Sequence, residues 1–79
     1  MADKTDSDRI KEIYKLSKGH FGDVRFVGIK YHSKIGWVSK AQFNNGEVGN
    51  LTADGKTSSD ALRNLRSRIK KIIKRYNGV

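Results

Sequence analysis

The spacing of apolar residues changes twice along this chain, and the changes set the order of its secondary structure. In residues 10–14, apolar side chains recur at three- and four-residue spacing, as on one face of a helix. In residues 24–52 the period becomes two, which is typical of strands with one buried face. After Thr57 the helical spacing returns. The sequence therefore predicts a helix, a group of strands and a second helix.

Three antiparallel strands are predicted in the central segment. Residues 24–31, 37–43 and 48–52 are rich in β-branched and aromatic side chains. Asn44-Asn45-Gly46 predicts a tight turn between the second and third strands, because Asn and Gly tolerate positive φ. Asp54-Gly55 predicts the turn that leads to the second helix.

Alternation along these strands predicts one buried and one open face of the sheet. The residues expected under a helix are Val27, Ile29, Tyr31, Ala41 and Phe43. The residues expected on an open polar face are Lys30, His32, Lys40 and Gln42. Gly28 and Gly49 fall inside the predicted strands, where glycine marks a bulge or the close approach of another backbone.

Both helices carry start and stop signals. The first begins near Asp6 and is expected to run for about three turns, with Gly19 as a possible end. The second begins at residues 57–60, which have the form of a capping box, and ends at Asn77-Gly78. Its predicted core stripe consists of Ala61, Leu62, Leu65, Ile69, Ile72, Ile73 and Tyr76.

The expected fold class is α+β, a three-stranded antiparallel sheet with an N-terminal helix and a long C-terminal helix packed on one face, in the order α-β-β-β-α. The 79 residues suffice for one domain, and the lack of cysteine leaves its stability to packing alone. We expect a flexible N-terminus at residues 1–5 and a single domain at residues 6–79.

Positive charge is concentrated in the later part of the chain. The formal net charge is +9. In residues 1–23 five basic residues balance five acidic ones, whereas residues 24–79 hold twelve bases and three acids. The segment 61–79 has seven bases and no acid. Such an asymmetric field attracts polyanions, among which nucleic acid is the commonest in a cell.

Two basic surfaces are candidates for contact with nucleic acid. On the second helix, one row opposite the predicted core consists of Arg63, Arg66, Lys70 and Lys74, and a second row along one flank consists of Arg68, Lys71 and Arg75. Both rows could run beside a phosphate backbone, and the alternative is an ordinary solvated face. On the sheet, Phe26 and His32 accompany Arg25, Lys30, Lys34, Trp37, Lys40 and Gln42. There the polar side chains suit base edges and the aromatics suit stacking, while the alternative places Trp37 in the core.

No catalytic constellation is recognisable in the sequence. His20 and His32 are far apart and have no nearby carboxylate pair, so we expect no metal site, no cofactor and no enzymatic activity. Apolar runs of two or three residues are too short for a membrane span or a signal peptide. The expectation is therefore a soluble cytoplasmic protein that does not contact membranes.

The junction from Gly55 to Leu65 resembles two families of α-β-β-β-α folds. Gly55, Thr57 and Ala61 match the pattern of the double-stranded-RNA-binding domain. That resemblance implies lysines at the helix start to grip phosphates, but this chain has Ser58, Ser59 and Asp60 at those positions. DNA is therefore favoured over RNA.

The same junction, together with Gly36-Trp37, resembles the HicB-like antitoxin core through Gly55, Thr57, Ala61 and Leu62. The order of strands and helix is also similar to the sheet-reading DNA-binding domains of integrases and of the APETALA type. The resemblances imply a compact α+β fold and, for the last group, contact between the strands and DNA.

The leading hypothesis is a small basic nucleic-acid-binding protein without enzymatic activity. The alternative is a small viral or mobile-element accessory protein that binds an acidic surface of a host protein or of a nucleic-acid-handling complex, as an inhibitor. A third possibility, suggested by the resemblance to antitoxins, is an antitoxin-like dimer.

Overall fold

The computed structural model describes residues 5–44 and 49–77, with the side chains of residues 76 and 77 left out. Two helices and three strands follow one another as α1 (Asp6–Phe21), β1 (Val24–His32), β2 (Gly36–Phe43), β3 (Asn50–Gly55) and α2 (Ser58–Asn77). The strands form one antiparallel sheet in the order β1-β2-β3, and both helices contact it. The predicted α+β class and the predicted order of elements are confirmed.

Helix α1 is longer than the sequence indicated. Its N-cap is Thr5, whose hydroxyl accepts a hydrogen bond from the Asp8 amide at 3.1 Å while the Asp8 carboxylate accepts one from the Thr5 amide at 3.2 Å. The helix continues through Gly19 to Phe21, and its C-cap is Gly22, where φ is +82°. The extension has a reason in packing, because Phe21 is buried against Phe43 with ring centroids 5.1 Å apart.

Strand β3 is shifted relative to its predicted position. Asp54 and Gly55 are its last two residues, paired with Val38 and Trp37, so the predicted turn at Asp54-Gly55 is wrong. The ladder to β2 continues to Gly55 and outweighs the local turn preference of the Asp-Gly pair. Gly49 lies before β3, not inside it, with φ of +63°. Residues 45–48, which include most of the predicted Asn-Asn-Gly turn and the predicted strand start, lie outside the described residues.

The irregularity in β1 falls at Arg25. The pairing with β2 shifts between Val24 and Phe26, which makes Arg25 the extra residue of a bulge. Gly28 remains in regular pairing with Lys40, so the bulge predicted there is absent, and its close neighbour is a side chain and not the backbone that was expected. A Cβ added at Gly28 would stand 2.5 Å from the Phe26 ring, so the missing side chain makes room for that ring.

The core lies between the helices and one face of the sheet. Ala61, Leu62, Leu65 and Ile69 of the predicted α2 stripe are fully buried, and Ile72 and Ile73 are half-buried. The side chain of Tyr76 lies outside the described residues. On the sheet, this face buries Ala41, Phe43, Ser39 and Ala53. The core therefore has the composition that the sequence predicts for β2 and α2.

On β1 the predicted buried face is only half covered. Val27 and Ile29 are half-buried, because β1 is an edge strand with β2 on one side only. The prediction that Tyr31 lies under a helix is wrong, since its side chain is 60% exposed. Tyr31 stands at the hairpin end of β1, where its ring packs edge-on against Trp37 with centroids 5.3 Å apart.

Close contacts fix the start of α2 on the sheet. A Cβ added at Gly55 would stand 2.5 Å from the Ala61 amide nitrogen, so only glycine lets the helix approach this far. The buried Ser39 hydroxyl lies 2.6 Å from the Ala61 carbonyl oxygen and 3.1 Å from that of Ala53, and can donate to either. As predicted, the Thr57 hydroxyl caps the helix by accepting from the Asp60 amide at 3.1 Å.

The two helices run side by side in the same direction. The Asp6 carboxylate at the start of α1 accepts hydrogen bonds from Ser58 at 2.5 Å and Ser59 at 3.3 Å, at the start of α2. Further along, Arg66 and Glu12 approach to 3.8 Å. The start of α1 contacts the start of α2, and the middle of α1 contacts the middle of α2. The second halves of the two helices therefore lie at one end of the molecule.

Candidate nucleic-acid interface

The charges of the helix layer divide sharply between its two ends. The first halves of the helices, residues 6–13 and 58–67, hold four acids and four bases. The second halves, residues 14–21 and 68–77, hold seven bases and no acid. We call this second set the cationic end; it consists of Lys15, Lys18, Arg68, Lys70, Lys71, Lys74 and Arg75.

At the opposite end, acidic groups already have partners from the protein itself. Asp6 accepts from two serine hydroxyls at the start of α2. The Glu12–Arg66 pair is partly exposed, with side-chain exposures of 33% and 46%, so it contributes little to stability. It nevertheless places a carboxylate beside one of the predicted contact residues. The local field around Arg66 is therefore weaker than the sequence of α2 alone indicates.

Exposed ammonium groups characterise the second half of α2. Lys70, Lys71 and Lys74 are exposed, and none of them forms an ion pair with a residue in the described ranges. Helix dipoles favour cations, but only within the last turn, which holds Lys74 and Arg75. Lys70 and Lys71 lie outside it, so the dipole does not account for them.

Arg68 has a structural partner of its own. Its guanidinium donates to the Thr52 carbonyl at 2.6 Å, and one turn earlier the Asn64 amide donates to the Asp54 carbonyl at 2.8 Å. These carbonyls belong to the outer edge of β3. The two side chains satisfy backbone acceptors that the sheet leaves free, and Arg68 thus contributes to the fold as well as to the local charge.

The structure divides the predicted contact residues into three separate groups. The cationic end contains Lys70, Lys71, Lys74 and Arg75, with Arg25 exposed at the same end of the sheet, where β1 begins. Arg63 and Arg66 are exposed on the first half of α2. The sheet group contains Lys30, Trp37, Lys40 and Gln42 on the strands, and Lys34 in the turn between β1 and β2.

The sheet group does not form one surface. The register places Lys30, Lys40 and Gln42 on the open face, as predicted, together with Phe26, which is 49% exposed. Trp37 lies on the opposite face, half-buried between its strand neighbours Tyr31 and Gly55. This position fits the alternative in which Trp37 serves the core and the hairpin.

A shallow groove of about 240 Å³ crosses the open face of the sheet. Its lining includes Phe26, Val38, Lys30, Lys40 and His32. Asp54 also belongs to this face, because its strand position is paired with Val38. The open face therefore carries fewer cations than the second halves of the two helices, together with a carboxylate.

Sequence reasoning missed two members of the cationic end, Lys15 and Lys18. They were counted with an N-terminal segment of zero net charge, although acids begin α1 and lysines follow them. Lys18 also lies over the Tyr14 ring, with Nζ 6.0 Å from the centroid. The order of charges along α1 is visible in the sequence. It indicates a shared basic surface only together with the parallel packing of α1 and α2, which places these lysines at the same end as the bases of α2.

Comparison with known proteins leaves the chain without a family assignment. No protein-family model, curated protein or solved structure matches it. Among the described residues, no three His, Cys, Asp or Glu side chains come together as a group able to hold a metal ion. Over the same ranges, neither helix is long and apolar enough to span a bilayer.

Proposed function

We propose that this protein binds nucleic acid by its cationic end, without catalysing a reaction, and that double-stranded DNA is its preferred form. The observation that carries the proposal is the set of seven bases without an acid on the second halves of two parallel helices. Each phosphate neutralised by such a cation releases condensed counterions, which supplies most of the affinity in binding of this kind.

The start of α2 supports DNA over duplex RNA. A helix N-terminus attracts phosphate because its free amides and dipole favour an anion. Here the Asp6 carboxylate lies beside the helix start and accepts from the Ser58 and Ser59 hydroxyls. The family that the junction resembles would present lysines there. A phosphate approaching this helix start therefore meets a negative charge.

The test is a salt series of binding isotherms. Affinity for a duplex DNA, a single-stranded DNA and a duplex RNA of equal length is measured by fluorescence anisotropy between low and moderate salt. The variant of the cationic end is Lys70→Gln, Lys71→Gln and Lys74→Gln combined. Its log–log salt slope is expected to decrease by between about two and three units, since each phosphate contact contributes about 0.9.

A matched control removes the same charge from the open face of the sheet and the turn between β1 and β2. Lys30→Gln, Lys34→Gln and Lys40→Gln combined are expected to leave the slope within about one unit of the unaltered protein. Equal losses in the two variants would show that net charge alone determines binding. No binding to any of the three nucleic acids in low salt would refute the proposal.

A further inference from the structure

The two edges of the sheet are protected to different degrees. On β3, the outward carbonyls of Thr52 and Asp54 accept from α2 side chains. On β1, no residue in the described part of the chain provides such a bond to the outward-facing backbone. β1 is nine residues long, contains no proline, and carries exposed Phe26 and Tyr31. An open edge strand of this length is a template for another strand.

The register identifies which backbone groups are free. In an antiparallel ladder, the N–H and C=O of one residue point to the same side, and the side alternates along the strand. Because the Thr52 carbonyl points outward, the backbone of its partner Lys40 is directed to β1. The backbone of Gly28 therefore bonds to Lys40. Along β1, Val27, Ile29 and Tyr31 alternate with the residues that bond to β2, so their N–H and C=O groups point away from the sheet.

Next to this edge runs a groove of about 410 Å³ between α1 and β1. Ile10 and Tyr14 on α1 and Val27 on β1 give it apolar walls, and Lys11, Lys15 and Arg25 also line it. All three cations are exposed, and none is ion-paired with a described residue. The groove therefore combines free strand hydrogen bonds, apolar surface and positive charge.

We propose that the β1 edge and this groove bind an extended acidic segment of another protein, which adds a fourth strand to the sheet. Main-chain hydrogen bonds to Val27, Ile29 and Tyr31 supply affinity, and alternate side chains of the segment fill the groove. Electrostatic repulsion disfavours a second copy of this chain as the occupant. Pairing β1 with itself brings two sets of these cations together in molecules that each carry +9.

The proposal is tested with blocked peptides of alternating glutamate and valine, seven residues long. Binding is followed by NMR on the full chain, with amide exchange at Val27, Ile29 and Tyr31 as the readout of strand pairing. The acidic peptide is expected to slow exchange at these three amides. A peptide with lysine in place of glutamate is expected to bind at least about tenfold more weakly.

A third peptide separates strand pairing from simple charge attraction. Methylation of every second backbone nitrogen removes its donors on one edge and is expected to abolish binding when the methylated edge is the pairing edge. Both methylation registers are made, and one of them should retain affinity. Equal binding of the two registers and the parent peptide would overturn the proposal.

Protein variants locate the site and separate its residues from the lysines of α2, although the groove shares Lys15 with the cationic end. Lys11→Glu with Arg25→Glu is expected to weaken the acidic peptide by about tenfold or more, whereas Lys70→Gln, Lys71→Gln and Lys74→Gln leave it unchanged. Protection of the β1 amides in a concentration-dependent dimer would instead identify a second copy as the occupant. Protection of these amides by duplex DNA would also contradict the proposal.

Discussion

Different interactions stabilise the two ends of the helix layer. At the end where both helices start, specific contacts fix the structure: Gly55 admits α2, Ser39 bonds to it, and Asp6 joins the two helix starts. At the other end, Ile69, Ile72 and Phe21 pack by apolar contact while exposed lysines face solvent. Changes at the first end should alter stability and spare binding, and changes at the second should do the reverse.

The largest effect is expected from Gly55→Ala. The added Cβ would overlap the backbone of Asp60 and Ala61, at distances of 2.5 to 2.8 Å, so α2 must move as a unit. Overpacking against backbone costs about 3 kcal/mol or more of the free energy of unfolding. Urea denaturation followed by circular dichroism measures the loss.

The matched control is Gly19→Ala, inside α1, where an added Cβ meets no atom within 4 Å. Alanine in a helix is expected to raise the free energy of unfolding by about 0.5 to 1 kcal/mol. Equal stability of the two alanine variants would show that the approach of α2 to the sheet is looser than the contact at Gly55 indicates.

The next effect is on binding. Lys70→Glu with Lys74→Glu is expected to lower affinity for duplex DNA on the order of a hundredfold in 0.1 M salt, because two phosphate contacts are lost. The free energy of unfolding should fall by no more than about 1 kcal/mol, since both side chains are exposed and only Lys74 lies in the last turn, where the helix dipole favours a cation. Anisotropy titration and urea denaturation measure the two quantities on the same samples.

Its control makes the same change in charge at the opposite end, with Lys56→Glu and Arg63→Glu. Both side chains are exposed, and the expected loss of affinity is less than about tenfold. A loss as large as that of the lysine pair would mean that both ends contact the duplex and that the comparison between them fails.

A smaller loss of stability is expected from Ser39→Ala. The variant removes the buried donor that bonds to the Ala61 carbonyl and leaves a small space between β2 and α2. The cost should be about 1 to 2 kcal/mol of the free energy of unfolding, with affinity for DNA unchanged. Thermal and urea denaturation give the first quantity, and unchanged stability would refute a structural role for this bond.

The smallest effect is expected from Ser17→Ala. Ser17 on α1 is also fully buried, but its hydroxyl has no hydrogen-bond partner in the described parts of the chain. Removing an unsatisfied polar atom and improving helix propensity should leave stability within about 0.5 kcal/mol or raise it. A loss equal to that of Ser39→Ala in the same urea assay would mean that Ser17 makes a contact of similar value.

Local patterns predicted most of the fold. The core stripe of α2 and the alternation of β2 follow from periodicity alone, because each element turns one continuous face to the core. The prediction of a turn at Asp54-Gly55 was wrong because pairing between β2 and β3 outweighs the turn preference of two residues. The prediction that Tyr31 is buried was wrong because alternation indicates which face of the sheet a residue lies on, but not how far a helix covers that face.

The candidate interface was less predictable, since it depends on the relative direction of two helices. The basic row of α2 is visible in the sequence, whereas Lys15 and Lys18 join it only through the parallel packing of α1. Conversely, the sequence predicts free cations at Arg66 and Arg68, whereas in the structure Arg66 lies near Glu12 and Arg68 bonds to the edge of β3. Such contacts join residues far apart in the chain, which no local pattern encodes.

The parallel packing of the helices also bears on how quickly a partner is found. With seven bases and no acid on the second halves of the helices and balanced charges on the first halves, the charged side chains of the helix layer form an electric moment along the helix axes. In the field of a polyanion this moment turns the protein before contact, so that collisions occur with the lysine-bearing end in front. Association should therefore be faster, and more sensitive to ionic strength, than for an equal charge spread evenly over the surface.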